Sequence, residues 1–380
     1  MQALAMPASR YIFGTLPWYS VTMVCAILSA LLLAQGEEKR RGLPKDTVVD
    51  LALRLIPCGI IGARLYYVAF TWSLFRENPI AILEIWKGGL AIYGGLIGGF
   101  LAALVFARRR KLNLLTLIDM IVPGLALAQC IGRWGNYFNM EAYGLPITNP
   151  AFQYFPMAVL IPEGGTQVWH MATFFYESLW DFGVFIALRC LRKPCRRPGD
   201  LFGWYVLLYG AGRLIIEGLR MDSLMTSGGS ARISQLLSVA GCLIVYLLMT
   251  CHALRHKRKT VVSFGLLCAL AIAVVVYLLP APAEAFYGYR FAFAVQVGCI
   301  CGSVLAMGLN RLGWQLARFV PALLALVFQL AVYLRLAGQP GSTAVSVVLC
   351  SLFGLTLIAA CGGMFPFAKL AAAPLEDAAV

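Results

Sequence analysis

Charge is scarce in this sequence: charged residues make up 13% of its 380 positions, against 61% hydrophobic. A soluble domain carries about twice that share of charge. Strand-like alternation is missing too. The apolar runs are apolar all round, which excludes a membrane β-barrel, whose strands alternate over about 10 residues. Several runs reach the ~20 residues that one helix needs to cross the hydrocarbon core. The sequence therefore predicts an all-α polytopic membrane protein.

Other absences narrow the function. The net charge is +14, yet there is no RNA-binding aromatic motif, no zinc-finger spacing and no long basic tail. The charges fall in short clusters between apolar runs, as topology signals do, so no nucleic-acid partner is expected. Most of the 12 cysteines lie inside apolar runs, among them Cys25, Cys58, Cys130, Cys242, Cys268, Cys299, Cys350 and Cys361. There they act as small hydrophobes. Cys299 and Cys301 are too close for C-x-x-C spacing, and no histidine cluster accompanies them. Neither a disulfide, a metal nor a cofactor is expected. The first apolar run starts near Trp18 with no small-residue cleavage site after it, unlike a signal peptide.

Eleven candidate spans follow, at roughly 18–35, 49–70, 88–107, 115–131, 171–190, 201–219, 233–251, 261–280, 291–309, 317–336 and 343–364. Basic residues cluster in alternate loops: Lys39, Arg40, Arg41 and Lys45; Arg108 to Lys111; Arg192, Lys193, Arg196 and Arg197; Arg255 and Lys257 to Lys259. By the positive-inside rule these loops are cytoplasmic, which puts the N-terminus and segment 132–170 outside. That segment is rich in Gly, Pro and Asn and is expected to be irregular, with a short interfacial helix at most. Residues 1–260 read as a core. Residues 261–380, with few charges and no polar cluster, read as an appended helical block.

Five polar places interrupt the apolar background. A charge at the bilayer centre costs about 2.5–3.5 kcal/mol on insertion scales, so each place is a functional candidate. "GARLYY" (62–67) puts Arg64 late in span two, either snorkelling at a helix end or serving as an anion ligand. "WKGGLAIYGGLIGG" (86–99) sets Tyr93 between two glycine pairs; the glycines suit close helix packing, but the phenol needs a polar partner. "GRWGNYFNMEAYG" (132–144) groups Arg133, Asn136, Asn139 and Glu141. If span four stays helical, Arg133, Asn136 and Asn139 share one face at i,i+3 spacing. "TFFYESLWD" (173–181) places Glu177 and Asp181 one turn apart near a helix start, where acids also suit the macrodipole. "YGAGRLIIEGLR" (209–220) strings Tyr209, Arg213, Glu217 and Arg220 along one stripe, which is either a self-neutralising set or part of a site. All five map to the outer half of the membrane. Arginine's planar fork binds phosphate bidentately and stays charged in a low-dielectric site, so a phospholipid headgroup is the natural ligand.

These residues resemble the prolipoprotein diacylglyceryl transferases of bacterial plasma membranes. The family signature is close to G-R-x-G-N-F-x-N-x-E-x-x-G, and here it reads "GRWGNYFNMEAYG", with Tyr137 for the usual Phe. "PWYS" around Tyr19, "GARLYY", "GGLAIYGGLIGG" and "YGAGRLIIEGLR" agree in order, so the resemblance covers about residues 10–255. It implies a seven-helix core; the about four further C-terminal helices read from the apolar runs lie outside the likeness. It also implies transfer of the diacylglyceryl group of phosphatidylglycerol to the lipobox cysteine thiol of a preprolipoprotein, forming a thioether and releasing glycerol phosphate. The implied catalytic set is Arg133, Arg213, Glu141 and Tyr93. The implied lipid-binding set adds Asn136, Asn139, Gly144, Tyr19, Arg64, Tyr209 and Glu217. Many members have His at the position of Tyr93, and His-Pro where this chain has Met171 and Ala172, with His170 one residue earlier. The alternative is a lipid transporter or scramblase, with the glycine-rich segment as a broken helix. No internal repeat supports it.

Overall fold

The computed structural model describes residues 10–193, 195, 197–217 and 219–221, with scattered helical positions between 233 and 248. The four spans expected after residue 260 lie outside the described residues, as does most of the seventh. The described chain is mostly helical: α1 (Trp18–Arg41), α2 (Thr47–Phe70), α3 (Ile92–Arg110), α4 (Leu114–Asn139), α5 (Thr173–Leu191) and α6 (Asp200–Glu217). Helices α1, α3 and α4 are long and apolar enough to cross a membrane. Helices α2, α5 and α6 are 18 to 24 residues long and carry three charged residues each: Asp50, Arg54 and Arg64; Glu177, Asp181 and Arg189; Asp200, Arg213 and Glu217. Two compact units divide within α1 and α4, one spanning Ile27–Leu125 and the other holding the residues before and after it.

In the unit of residues 27–125, α2 and α3 pack backbone to backbone. A Cβ on Gly62 or Gly94 would strike the other residue's carbonyl, and one on Gly98 would strike that of Cys58. Small residues permit this approach where lipid offers no hydrophobic drive between helices. Val48, Leu51, Ala103, Phe106, Leu117 and Met120 fill the core beside them. The start of α2 is capped from a distance: Glu38 accepts from the backbone N–H of Asp46 at 3.1 Å and of Val48 at 2.7 Å. Asn113 caps α4 by accepting from Leu115 N–H at 2.9 Å and Thr116 N–H at 3.3 Å.

The other unit opens with a two-residue pair, β1 (Tyr11–Ile12) and β2 (Leu16–Pro17), ahead of α1. Among its described residues the main non-helical feature is an antiparallel hairpin, β3 (Ala158–Glu163) and β4 (Thr166–Met171). Gly164 and Gly165 form the turn with φ of 58° and 86°. Two positive φ values make the type I′ geometry that matches strand twist. Residues 144–147 run along β4, with Gly144 N–H donating to Met171 O at 2.9 Å and Ile147 N–H to Trp169 O at 2.7 Å. On their other side Leu145 N–H donates to Leu219 O at 3.0 Å, just past α6. An aromatic cluster including Trp134, Tyr137, Phe155, Phe174 and Phe175 packs with Val159 and Ile161 of β3. The expectation of a purely helical chain with an irregular 132–170 segment is corrected by this hairpin.

Candidate active site

The stretch 132–144 begins as helix. Helix α4 continues to Asn139, so Arg133, Asn136 and Asn139 do share one face. The helix then closes with Met140 N–H donating to Tyr137 O at 3.1 Å and Glu141 N–H donating to Asn136 O at 3.0 Å. This is a Schellman closure, which needs a left-handed residue and usually takes glycine. Here Met140 adopts it at φ 55°, followed by Ala142 at φ 57°. The double reversal turns Glu141 back beneath the helix end. Its Oε1 accepts from Asn136 Nδ2 at 2.9 Å and from Asn139 Nδ2 at 3.4 Å. The two amides thus hold a carboxylate.

Both arginines meet on α5. Arg133 Nη2 lies 2.5 Å from Glu177 Oε1, and Arg213 Nη1 donates to the same oxygen at 2.8 Å. Arg213 Nη2 pairs with Glu217 Oε2 one turn along α6, at 2.6 Å. The carboxylates are almost sealed, at 3% side-chain exposure for Glu177 and 2% for Glu217, while Arg133 keeps 19% and Arg213 14%. The two guanidinia thus keep more exposure than the acids that hold them. Asp181, one turn beyond Glu177, is buried, and neither carboxylate oxygen has a hydrogen-bond partner among the described residues. Arg220, expected on the same stripe as Arg213 and Glu217, lies past the end of α6 and bridges Gly144 in a β-contact.

Neighbouring contacts fix these helices. Trp180 Nε1 donates to Leu208 O at 3.0 Å, and its indole occupies the space a side chain on Gly212 would need. Gly212 therefore lets α6 approach α5 just before Arg213. Ser178 Oγ donates to Cys130 O at 2.9 Å, tying α5 to α4. Tyr205 donates to Gln129 Oε1 at 3.0 Å and stacks on Tyr209 with ring centroids 5.5 Å apart. Tyr19 lies against Gly135, where a Cβ would come within 2.8 Å of its ring. Trp18 stacks on Phe138 at 5.0 Å. At Gly144 a Cβ would lie 2.7 Å from Thr173 Cγ2 and 2.9 Å from Leu219 O, so this glycine serves a crowded crossing. His170 is fully buried there, with Nδ1 2.8 Å from Gly144 O and Nε2 3.3 Å from Glu163 Oε2.

Arg64 and Tyr93 belong to the unit of residues 27–125. The Arg64 guanidinium donates to four backbone carbonyls: Nε to Ile82 at 2.8 Å, Nη1 to Gly88 at 2.7 Å and Gly89 at 3.0 Å, and Nη2 to Ala81 at 2.7 Å. It also lies over the Phe75 ring at 5.2 Å. In this geometry its donors organise the link between α2 and α3 instead of facing an anion. Gly88 and Gly89 have φ of 92° and 75°, which allows their carbonyls to turn inward. Tyr93 sits in the first turn of α3, with its ring centroid 6.4 Å from that of Tyr66.

A family model described as prolipoprotein diacylglyceryl transferase matches residues 9–251, which takes in every site residue above. The chain belongs to this family. It is 44% identical over 248 residues to the phosphatidylglycerol–prolipoprotein diacylglyceryl transferase of Limosilactobacillus reuteri, covering 64% of this chain and 88% of that protein. Proteins of the same name from Listeria welshimeri and Bacillus cereus are each 43% identical over 224 residues, or 58% of this chain. The match covers 80% of the Listeria protein and 82% of the Bacillus one.

Within this transferase family member, Glu177 is the residue whose place in the site sequence reasoning undervalued. Its position near the start of α5 had a sufficient local explanation in the helix dipole. Only the packing of α4, α5 and α6 brings two guanidinia to one of its oxygens. Asn136 and Asn139 were expected to orient headgroup oxygens or brace the arginines; here both donate to Glu141.

Proposed function

We propose that this membrane enzyme transfers the diacylglyceryl group of phosphatidylglycerol to the lipobox cysteine thiol of a preprolipoprotein. The thiolate attacks the glyceryl carbon. The bond from that carbon to the phosphate oxygen breaks, and glycerol phosphate leaves with the electron pair. The observation that carries this reading is the convergence of Arg133 and Arg213 on Glu177 within the family's motifs. Each guanidinium has five N–H donors, and the ion pairs with Glu177 and Glu217 engage one nitrogen of Arg133 and two of Arg213. The donors left over stabilise the charge that grows on the departing phosphate. The same positive field lowers the thiol pKa from ~8.5 and favours the thiolate.

In this proposal Glu141, oriented by Asn136 and Asn139, takes the thiol proton, and glycerol phosphate departs carrying the added negative charge. Tyr209 completes the polar set on α6, and Tyr93 takes a catalytic role on the family resemblance alone. Tyr19 and Gly144 shape the site, Glu217 orients Arg213, and Arg64 organises the link that leads to Tyr93. The chain lies in the bacterial plasma membrane with its N-terminus outside and its site towards the outer leaflet. On this reading residues 1–260 are the transferase core and residues 261–380 an appended block.

The test uses isolated membranes, phosphatidylglycerol and a lipobox peptide, with mass detection of the diacylglyceryl thioether. Arg133→Ala and Arg213→Ala are each expected to lower transfer at least about 10²-fold, as loss of a charge-stabilising donor does elsewhere. Lysine at either position is also expected to be poor, because it lacks the planar fork. Near-normal transfer by both alanine variants, at normal membrane levels, overturns the assignment.

A further inference from the structure

We propose a second lipid site, in the groove between α2 and α3, that takes one phospholipid with an anionic headgroup. The groove encloses about 780 Å³ and lies wholly within the unit of residues 27–125. Gly62, Gly94 and Gly98 form its floor, where the two backbones touch. Ile61, Leu65, Ile97 and Leu101 wall it and are each more than half exposed. From Gly94 to Arg109 the groove follows α3 for roughly 22 Å, at 1.5 Å per residue. That is longer than half of a ~30 Å hydrocarbon core, so an acyl chain is accommodated along it.

One end of the groove is charged. Arg54, Arg109 and Arg110 all line it. Asp50 is their neighbour, pairing with Arg110 and lying 3.9 Å from Arg54 Nη1. One carboxylate against three guanidinia leaves a surplus of positive charge where the apolar channel ends. The guanidinia of Arg54 and Arg110 lie 5.3 and 5.8 Å from the Phe106 ring centroid, which positions them at the mouth. An anionic phosphate at that mouth would gain charge-assisted bonds, and its chains would cover the exposed walls. A zwitterionic lipid brings its own cation and loses most of this advantage. On the orientation proposed above, the basic end belongs to the cytoplasmic leaflet, away from Arg133 and Arg213 in sequence and chemistry. The site therefore holds a bound lipid and not a reacting one.

The test places full-length protein in vesicles with photoreactive phosphatidic acid, or phosphatidylcholine with the same diazirine-bearing chain, and maps adducts by mass spectrometry. Phosphatidic acid is expected to label residues 61–66 and 97–105 about tenfold more than phosphatidylcholine, from two surplus charges near the surface. Arg54→Gln with Arg109→Gln is expected to bring it down to the phosphatidylcholine level while lipid transfer persists. Equal labelling of wild-type protein by the two lipids overturns the proposal and needs no variant. So does absence of labelling in both segments, the result if another part of this chain fills the groove. The outcome is independent of the transferase assay, so failure of one does not decide the other.

Discussion

Glu177 links two like charges that would otherwise push apart. A single oxygen of a carboxylate with 3% exposure accepts both Arg133 and Arg213. Removing one partner of a buried ion pair costs about 3–5 kcal/mol, because the remaining charge is stranded. Glu177→Gln keeps the shape and removes the charge. It is expected to abolish most lipid transfer and lower the thermal midpoint in detergent, whereas Glu177→Asp, one methylene shorter but still charged, recovers part of both. A merely structural role predicts that Gln and Asp rank by stability alone, so transfer measured at matched folded fractions separates the two. At this scale the sequence was most informative about Arg213 and Glu217, whose spacing survives as an i,i+4 ion pair on α6, and about Arg133, which keeps its i,i+3 face with Asn136 on α4. It was least informative about Glu177 and Arg64, whose partners lie on other segments and carry no spacing signal.

At the scale of elements, hydropathy located the helices but not their ends. Span four was expected to stop at residue 131, yet α4 continues to Asn139, because apolarity reports the membrane and not helicity. The hairpin was legible in principle: the β-branched Val159 and Ile161 and then Thr166 and Val168 alternate on either side of Gly164 and Gly165, the pair that a type I′ turn favours. The glycines were read instead as loop composition. Gly212 tests how tightly the elements are set. A Cβ there would collide with the Trp180 indole, and overpacking of this kind costs about 1–3 kcal/mol. Gly212→Ala is expected to lower the thermal midpoint and transfer together, and Trp180→Phe to relieve part of the added loss in the double variant. Equal damage from Gly212→Ala in both backgrounds means that the ring is not the obstacle.

For the whole molecule, the charges divide the chain more clearly than the hydropathy does. The arginine and carboxylate cluster, the basic loops at 39–45, 108–111, 192–197 and 255–259, and the family match to residues 9–251 all fall before residue 261. The 248 residues aligned with the Limosilactobacillus protein cover 88% of it. A chemical role for residues 261–380 would need polar side chains that reach the lipid headgroup, and those spans carry few charges and no polar cluster. Truncation after residue 260 is therefore expected to give a membrane-inserted protein that still forms the diacylglyceryl thioether near the full-length rate with a short lipobox peptide. If the appended block docks a partner or a whole preprolipoprotein, the truncation slows transfer to that larger substrate while sparing the peptide. Loss of peptide modification by a truncated protein that remains in the membrane fraction places part of the catalytic machinery beyond residue 260 and refutes the two-part organisation.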